Sequence, residues 1–408
     1  MITEGLFNNI YRGKQGLNKG IPTGLPKLDA VTFGLQRKYH YTIGGDSGAG
    51  KSTLAIFSYI YKPLVQALKG EIDAHFLIFS FELSSTVLFA KLLSLDLYDT
   101  YGVEVSYEQI LSLTSTIDDA TLKLIEERRH WLAKAEKLIS IVDKSVTPEY
   151  VDTVLRMWFL KFGKFSTVRD SQGEEQEVYT PKNPLQYSIV LTDHIRLTKS
   201  KGDIKTTIDD LCKIQIIYRN ICEGTFINVQ QLNRGFKAMD RRAGGTYQMI
   251  QLDDFDSSSA STQASEVVIA IFYPFREKLS KCEGYNIKEL QDSIRILQLI
   301  KNRNGKSDKN VGVSFFGSIG LWKELPKSEE IKNFVEFLES YDPSNPSKIK
   351  LKNESVINIT EKELKDIKIL FDQLSPKNRT LMVESIFESK ANLDQHLEFC
   401  QKVKVLQK

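Results

Sequence analysis

Short apolar runs alternate along the chain with longer segments in which apolar residues recur every three or four positions. Runs of this length are typical of strands buried on both faces of a parallel sheet, whereas the longer periodic segments favour helices. The runs that we interpret as core strands are residues 39–43, 75–81, 188–193, 225–231, 267–273 and 294–300. The alternation predicts an α/β fold with a doubly wound, mostly parallel sheet.

The segments between the strands predict the remaining elements. A closing hairpin is expected at 311–316 and 321–323, and a polar insertion, either a surface loop or a hairpin, at about 162–184. Residues 233–264 are polar and are expected to form loops, and Glu126-Glu127-Arg128-Arg129 is interpreted as a solvated helix face. Helices are predicted over 52–68, 83–95, 107–112, 117–139, 148–161, 204–222, 361–374, 376–387 and 392–405.

One stretch carries specific chemistry: Gly45-Asp46-Ser47-Gly48-Ala49-Gly50-Lys51-Ser52, followed by Thr53, fits the phosphate-binding loop pattern G-x-x-x-x-G-K-[ST]. Glycines let backbone N–H groups wrap the phosphates of a nucleotide, the lysine supplies a positive charge, and the serine hydroxyl can ligate Mg²⁺. A strand precedes the loop and a helix follows it, as this site requires. The alternative is a glycine-rich turn with an exposed lysine. The predicted nucleotide-binding residues are Gly45, Ser47, Gly48, Ala49, Gly50, Lys51, Ser52 and Thr53.

Polar side chains stand at the ends of three further strands. Because ligands of open α/β sheets bind at the carboxyl ends of the strands, we expect Glu82, Asp193 and Gln231 to lie near the loop. Asp193, with Ser52, is the predicted Mg²⁺ ligand, Glu82 can accept a proton from the attacking water, and Gln231 can sense the γ-phosphate. The alternatives are a helix cap or strand-end aspartate, a surface glutamate in a turn, and a strand-end polar residue.

Two sets of basic residues complete the candidate chemistry. Lys301 and Arg303 are two positions apart at the end of a strand and can reach a phosphate on a neighbouring subunit, or they form a basic surface turn. Basic loops at the same edge of the sheet can hold the phosphates of a polynucleotide, or they are solvated charge. The predicted nucleic-acid contacts are Lys199, Lys201, Arg234, Lys237, Arg241 and Arg242.

Composition narrows the class of protein. The 408 residues carry a net charge of only +3, so nucleic-acid contact must come from a local patch rather than from a cationic protein as a whole. The four cysteines have no metal-binding spacing and are interpreted as reduced thiols of a cytosolic protein. No apolar run reaches about 18 residues and the first residues lack the organisation of a signal peptide, so no contact with a membrane is expected.

In order and spacing, these pieces resemble the RecA-type ATPase domain of DnaB-family replicative helicases, over residues 20 to about 322. The matching pieces are Gly20-Ile21-Pro22-Thr23-Gly24 with Leu28-Asp29, Gly50-Lys51-Ser52, Phe81-Glu82-Leu83-Ser84, Ile189-Val190-Leu191-Thr192-Asp193, Gln231-Leu232-Asn233-Arg234 and Lys301-Asn302-Arg303-Asn304-Gly305. The resemblance implies a P-loop NTPase that uses ATP or another NTP with Mg²⁺.

The resemblance further implies a homo-hexameric ring that hydrolyses NTP between subunits and translocates on single-stranded DNA. Glu82 matches the family's catalytic glutamate, Asp193 its Mg²⁺-binding aspartate and Gln231 its strand-end glutamine. Lys301 and Arg303 match the pair offered in trans, and residues 199–204 and 234–258 match the DNA-facing loops. A primase or a helicase loader is the expected further partner.

The chain also departs from the family pattern. We expect the family's N-terminal helical domain to be absent, with residues 1–19 forming only a linker or docking arm. The ATPase domain is expected over 20–325 and a small helical C-terminal extension over 326–408. An acid stands in 254–259 where the family has an arginine. A trimmed copy of this kind suggests a bacteriophage protein acting in the host cytoplasm.

Two other functions fit the same sequence. One is a RecA-like or KaiC-like ATPase that remodels DNA or protein without separating strands. The other is a loader-binding or structural ring component with weak hydrolysis.

Overall fold

The structure is a computed structural model of the chain. It describes residues 2–169, 173–200, 202–233, 249–255, 259–329, 338–339, 361–374, 379 and 382–383.

A sheet of nine strands forms the centre of the fold. Its strands are β1 (His40–Gly45), β2 (Ala74–Ser80), β3 (Ile139–Val142), β6 (Tyr187–Asp193), β7 (Thr225–Gln231), β8 (Val267–Phe272), β11 (Ile294–Asn302), β12 (Lys309–Phe316) and β13 (Leu321–Glu324). They lie in the order β13-β12-β11-β8-β1-β7-β6-β2-β3. The pairings of β1 with β7 and β8, of β6 with β2 and β7, and of β2 with β3 are parallel. The predicted mostly parallel α/β sheet is confirmed.

Helices connect the strands, and the described residues also form two hairpins that are not part of the nine-stranded sheet. The hairpins are β4 (Gly163–Arg169) with β5 (Glu175–Pro181), and β9 (Lys281–Cys282) with β10 (Tyr285–Asn286). The described helices are α1 (Ile2–Lys14), α2 (Pro26–Thr32), α3 (Lys51–Ala55), α4 (Lys62–Leu68), α5 (Ser85–Tyr101), α6 (Tyr107–Ile110), α7 (Asp119–Glu127), α8 (Arg129–Leu138), α9 (Pro148–Leu160), α10 (Ile204–Cys222), α11 (Ala260–Ala264), α12 (Ile287–Leu290) and α13 (Glu361–Gln373). A π-helical segment, Ile56–Tyr61, makes α3 and α4 continuous.

Burial along the central strands explains their continuous apolar character. Every residue of β1, β6 and β8 is buried, as expected for strands covered on both faces. On one face, α9 and α10 pack against β2, β6 and β7 through a cluster that includes Phe79, Phe159 and Phe226. Burying a side chain of this size contributes about 1.5–3 kcal/mol relative to its exposed state. This packing holds the strand ends at fixed positions.

The segment predicted as one helix over 117–139 is different in the structure. It divides into α7 and α8 at Arg128, and the edge strand β3 follows directly. Arg128 donates from Nε and Nη2 to the carboxylate of the buried Asp96 on α5, at 2.5 and 2.9 Å. The interpretation of 126–129 as a fully solvated face is therefore wrong for Arg128, although Arg129 and Glu126 do form an exposed pair.

Three segments predicted as linkers or loops contain regular secondary structure. The arm predicted at the start of the chain forms the helix α1, which exposes Leu6, Phe7, Ile10 and Tyr11. The polar insertion is the hairpin β4–β5, whose Phe165 and Tyr179 pack against the cluster under α9 and α10. Within the predicted loop 233–264, the described residues include the short helix α11.

The chain divides into two compact units. The first comprises residues 1–272, 297–309 and 315–322, and the second 273–296, 310–314 and 323–408. The first contains the phosphate-binding loop. In the second, α13 agrees with the helix predicted at 361–374. The helix predicted at 392–405 lies outside the described residues, and the predicted boundaries near 20 and 325 stay predictions. None of the described helices has both the length and the apolar character needed to cross a bilayer.

Candidate active site

The phosphate-binding loop joins the end of β1 to the start of α3, so strand, loop and helix follow one another as predicted. Gly48 and Gly50 have φ of 72° and 100°, in the left-handed region that favours glycine. A Cβ at Gly50 would also lie 2.6 Å from Cζ2 of Trp322, whose indole stacks on Phe315 at a ring-centroid distance of 4.3 Å. Backbone conformation and packing therefore both require glycine at this position.

Lys51 is the first residue of α3, and its side chain is folded back over the loop. The residue is only 8% exposed, and Nζ donates to the carbonyl of Asp46 at 2.9 Å. The N–H of Ala49 donates to the same carbonyl at 3.2 Å. The ammonium group is thus held beside the loop whose backbone N–H groups would surround a phosphate.

Ser52, on α3, is in contact with Asp193, at the end of β6. Ser52 Oγ donates to Asp193 Oδ1 at 2.8 Å, and Asp193, the last residue of β6, is 2% exposed. Burial raises the pKa of Asp193 to about 6; the Ser52 bond opposes that shift, the charge of Glu82 adds to it, and Lys51 and Lys91 oppose it.

A hydroxyl and a buried carboxylate are oxygen ligands of the kind that Mg²⁺ prefers, so these two residues fit the cation. The described residues contain no group of three or more His, Cys, Asp or Glu side chains arranged to hold a metal by themselves. Mg²⁺ at a nucleotide characteristically takes one or two protein ligands and completes its shell with phosphate oxygens and water. Ser52 and Asp193 therefore match a metal that arrives with the nucleotide.

Glu82 and Gln231 lie at the same edge of the sheet. Ser80, the last residue of β2, is in register with Asp193, and Glu82 follows two residues later with an exposed side chain. Gln231 is in register with Gly45, where the phosphate-binding loop begins. The strand ends therefore bring the predicted loop, metal-binding and catalytic residues to one edge.

Lys301 and Arg303 lie at the other edge. The backbone N–H of Arg303 donates to the carbonyl of Glu266, which precedes β8, at 2.9 Å, and the next residue, Asn304, bonds to Tyr39 just before β1. β1 has six residues at about 3.3 Å each, so this edge is about 17–20 Å from the chain's own phosphate-binding loop. The structure does not bring this pair together with the other predicted catalytic residues.

The nucleic-acid predictions fall mostly on residues that the structure leaves out. Lys199 is exposed, and its backbone N–H donates to Val146 at 2.8 Å. Asp254, in the segment where the family has an arginine, is buried and caps its own turn by accepting from the N–H of Gln251 at 2.7 Å. The other five predicted contacts, Lys201, Arg234, Lys237, Arg241 and Arg242, lie outside the described residues.

Sequence reasoning missed several residues around these sites. Trp322 and Phe315 cover the loop at Gly50, and Glu266 contacts Arg303. The charge of Lys91 lowers the pKa of Asp193 and so opposes the effect of burial. A charged residue directly before an apolar strand was a weak signal for Glu266. The others come from distant parts of the chain, so no local pattern marks them.

The chain was compared with family models, curated proteins and solved structures, and the solved structures gave matches. No family model matches the chain, and no curated protein matches it. One solved structure, described as an ATPase domain, superposes with a TM-score of 0.58 at 17% identity, covering 80% of this chain and 99% of that one. A DnaB-like replicative helicase, described with its interactions with primase, superposes with a TM-score of 0.56 at 17% identity, covering 79% of this chain and 66% of that one. The chain therefore has the RecA-like fold found in the ATPase domains of DnaB-like replicative helicases.

Proposed function

We propose that the protein is an ATP-dependent replicative DNA helicase, a homo-hexameric ring that hydrolyses NTP at subunit interfaces and translocates on single-stranded DNA. The observation that carries the proposal is the division of the site. The Ser52–Asp193 pair and the phosphate-binding loop lie at one edge of the sheet, and Lys301 and Arg303 lie at the opposite edge. A complete site then needs two subunits.

Each predicted site residue has a defined role in the proposed mechanism. The loop N–H groups and Lys51 bind the phosphates, and Ser52 and Asp193 would hold Mg²⁺, which supplies neutralising charge at the phosphates. Glu82 accepts a proton from the attacking water, and Gln231, level with the start of the loop, contacts the γ-phosphate. Lys301 and Arg303 act on the nucleotide of the neighbouring subunit.

Self-association has a second source of support. One side of α1 exposes four large apolar residues, Leu6, Phe7, Ile10 and Tyr11, which are between 49% and 60% exposed. Contiguous exposed apolar residues of this kind mark an interaction site. We propose that α1 is the docking arm of the ring.

Single-stranded DNA is the proposed nucleic acid on which the ring translocates. Lys199, Lys201 and the basic residues between 234 and 242 would contact its phosphates, which implies binding that weakens steeply with salt. The solved DnaB-like helicase is described with primase, and we propose a primase or a helicase loader as a partner of this chain too. A bacteriophage origin and a cytosolic location complete the proposal.

ATP hydrolysis measured with and without single-stranded DNA tests it, together with the mass of the protein in a non-hydrolysable ATP analogue. Lys51→Ala serves as the blank for nucleotide binding. A hexamer whose turnover rises with DNA, and which separates a forked duplex, supports the helicase. A DNA-stimulated ATPase that never separates strands is instead a remodelling enzyme. A monomer or dimer indifferent to DNA contradicts the ring.

Glu82→Gln separates a motor from a structural ring. The variant should bind ATP with unchanged affinity, because Gln keeps the size of the side chain. Its kcat should fall by about 10²–10⁴, since proton transfer contributes a factor of that order. Glu71→Gln, an exposed carboxylate in the turn before β2, is the matched control. Unchanged turnover or unwinding in Glu82→Gln would show that the glutamate has no part in hydrolysis.

A further inference from the structure

Three cations converge on the carboxyl end of α11. Lys301 Nζ donates to the carbonyls of Thr262 and Gln263 at 2.6 and 3.2 Å. Arg303 Nη2 donates to the carbonyl of Gln263 at 2.7 Å. Arg219, from α10, donates to the carbonyl of Ala264 at 3.2 Å. Carbonyls in the last turn of a helix have no partner within the helix, so they can accept such donors.

Glu266 is the negative charge of this cluster. Its Oε1 accepts from Arg219 Nη1 at 2.7 Å and from Arg303 Nη1 at 3.3 Å. Its Oε2 accepts from the backbone N–H of His40 at 2.7 Å. The main chain is fixed as well, because the N–H of Glu266 donates to the carbonyl of His40 at 2.9 Å. Both carboxylate oxygens are therefore fixed relative to the first residue of β1.

The two arginines on this carboxylate differ in exposure. The side chain of Arg219 is 14% exposed, whereas that of Arg303 is 49% exposed. The contacts of Arg303 with Gln263 and Glu266 use two of the five N–H donors of a guanidinium group. The group is thus anchored on one side and faces solvent on the other.

We propose that Glu266 is a positioning residue for Arg303, holding the guanidinium in the orientation in which it meets the nucleotide of the neighbouring subunit. The inference rests on the proposed function, in which Arg303 acts in trans. An arginine with a long flexible side chain loses rotamer freedom when it binds a phosphate, and a preformed anchor removes part of that cost. Glu266 also contacts Arg219 and the backbone of His40, so the test must separate the positioning of Arg303 from support of the fold.

Glu266→Gln in the full-length protein tests the proposal. Gln keeps the shape of the side chain but removes the charge that attracts Arg303. In assembled rings, kcat should fall about tenfold, while KM for ATP and the affinity of the protein for a non-hydrolysable analogue stay within twofold. Glu104→Gln, which removes an exposed carboxylate elsewhere, should leave all three quantities unchanged. An unchanged or raised kcat in Glu266→Gln overturns the proposal.

The same substitution in an Arg303→Lys variant distinguishes a positioning role of Glu266 from a general loss of structure. In Arg303→Lys, the fork of donors that Glu266 anchors is gone, so adding Glu266→Gln should change kcat by less than twofold. An equal loss in both backgrounds would mean that Glu266 only supports the fold. If Glu266→Gln does not assemble, Glu266→Asp, which withdraws the carboxylate by one methylene, should lower kcat at constant KM; wild-type kcat in that variant overturns the proposal.

Arg303→Ala, measured in parallel, distinguishes failure of the positioning role of Glu266 from failure of the trans role of Arg303. An inactive Arg303→Ala ring with a normal Glu266→Gln ring contradicts positioning and leaves the trans arginine intact. Normal turnover in Arg303→Ala removes the trans role itself, and the positioning proposal with it.

Discussion

At the scale of single residues, Asp193 combines two opposing requirements. To hold Mg²⁺ as proposed, its carboxylate must ionise, yet it is 2% exposed and its pKa is raised to about 6, first by burial and then by the charge of Glu82. The folded protein without nucleotide therefore contains a carboxylate whose protonated form is favoured by its surroundings. In the proposed Mg²⁺ role of Asp193, the site gives up stability for metal affinity, as functional sites commonly do.

The pH dependence of stability follows from the sign of that shift. The folded state binds the proton more tightly than an unfolded chain with the ordinary pKa near 3.8. The stability from this group is fully present below about pH 4 and is lost as the pH rises through about 6. At pH 8 the loss is of the order of 2–3 kcal/mol.

Asp193→Asn should therefore stabilise the protein in the absence of nucleotide. The amide avoids the buried charge while its Oδ1 can still accept from Ser52, so the Tm at pH 8 should rise by a few degrees and the Tm at pH 5 should change less. Mg²⁺-dependent nucleotide binding should weaken in the same variant. Thermal unfolding at both pH values checks this, and a lower Tm at pH 8 than in the wild type would contradict the buried-charge argument.

At the scale of elements, the loop between β1 and α3 depends on backbone conformations that other residues adopt only with strain. Gly50 has φ of 100°, and Trp322, on the distant strand β13, occupies the space that a side chain would need. The loop is therefore shaped by its own glycines and by a neighbour that approaches from the end of the sheet.

Gly50→Ala should consequently cost at least about 1–3 kcal/mol of stability, from backbone strain and the contact with Trp322, and should weaken nucleotide binding at least tenfold. Gly70→Ala is the matched control, since Gly70 also has positive φ, 76°, but nothing lies within 4 Å of the added Cβ. The control should cost about 1–2 kcal/mol and leave nucleotide affinity unchanged. Equal nucleotide affinity in both variants would mean that the loop tolerates a side chain at Gly50.

At the scale of the whole molecule, the two edges of the sheet hold different parts of the proposed site. The residues proposed to act on phosphate, metal and water lie at the carboxyl ends of β1, β2, β6 and β7, whereas the end of β11 lies beside the start of β8. Since the two edges are about 17–20 Å apart, an arginine at one cannot serve the nucleotide at the other. The proposed function then requires a second copy of the chain.

Mixing two inactive variants tests this division. Arg303→Ala subunits keep an intact phosphate-binding loop, and Lys51→Ala subunits keep an intact Arg303. Rings assembled at random from equal amounts should contain about a quarter of complete interfaces, so turnover should reappear on mixing. ATP hydrolysis of each variant alone provides the baseline. Mixed rings of confirmed hexameric mass with no recovered turnover would argue against a site shared between subunits.

Local patterns were enough to predict much of the fold. Continuous apolar runs predicted the core strands of the sheet, because parallel strands covered on both faces must be apolar throughout. Polar residues at the ends of those runs predicted that Glu82, Asp193 and Gln231 lie beside the loop, because topology places parallel strand ends at one edge. The agreement concerns placement; the catalytic roles of these residues stay predictions.

The sequence by itself determined the phosphate-binding loop, since its glycine and lysine spacing is a local requirement of phosphate binding. Only the tertiary structure decided that the helix predicted over 117–139 breaks at Arg128, where the arginine pairs with the buried Asp96 of α5. Only the tertiary structure placed Arg303 at the far edge and Glu266 beside it. Such contacts join residues far apart in sequence, and no local period of apolar and polar positions encodes which distant partner a charge will meet.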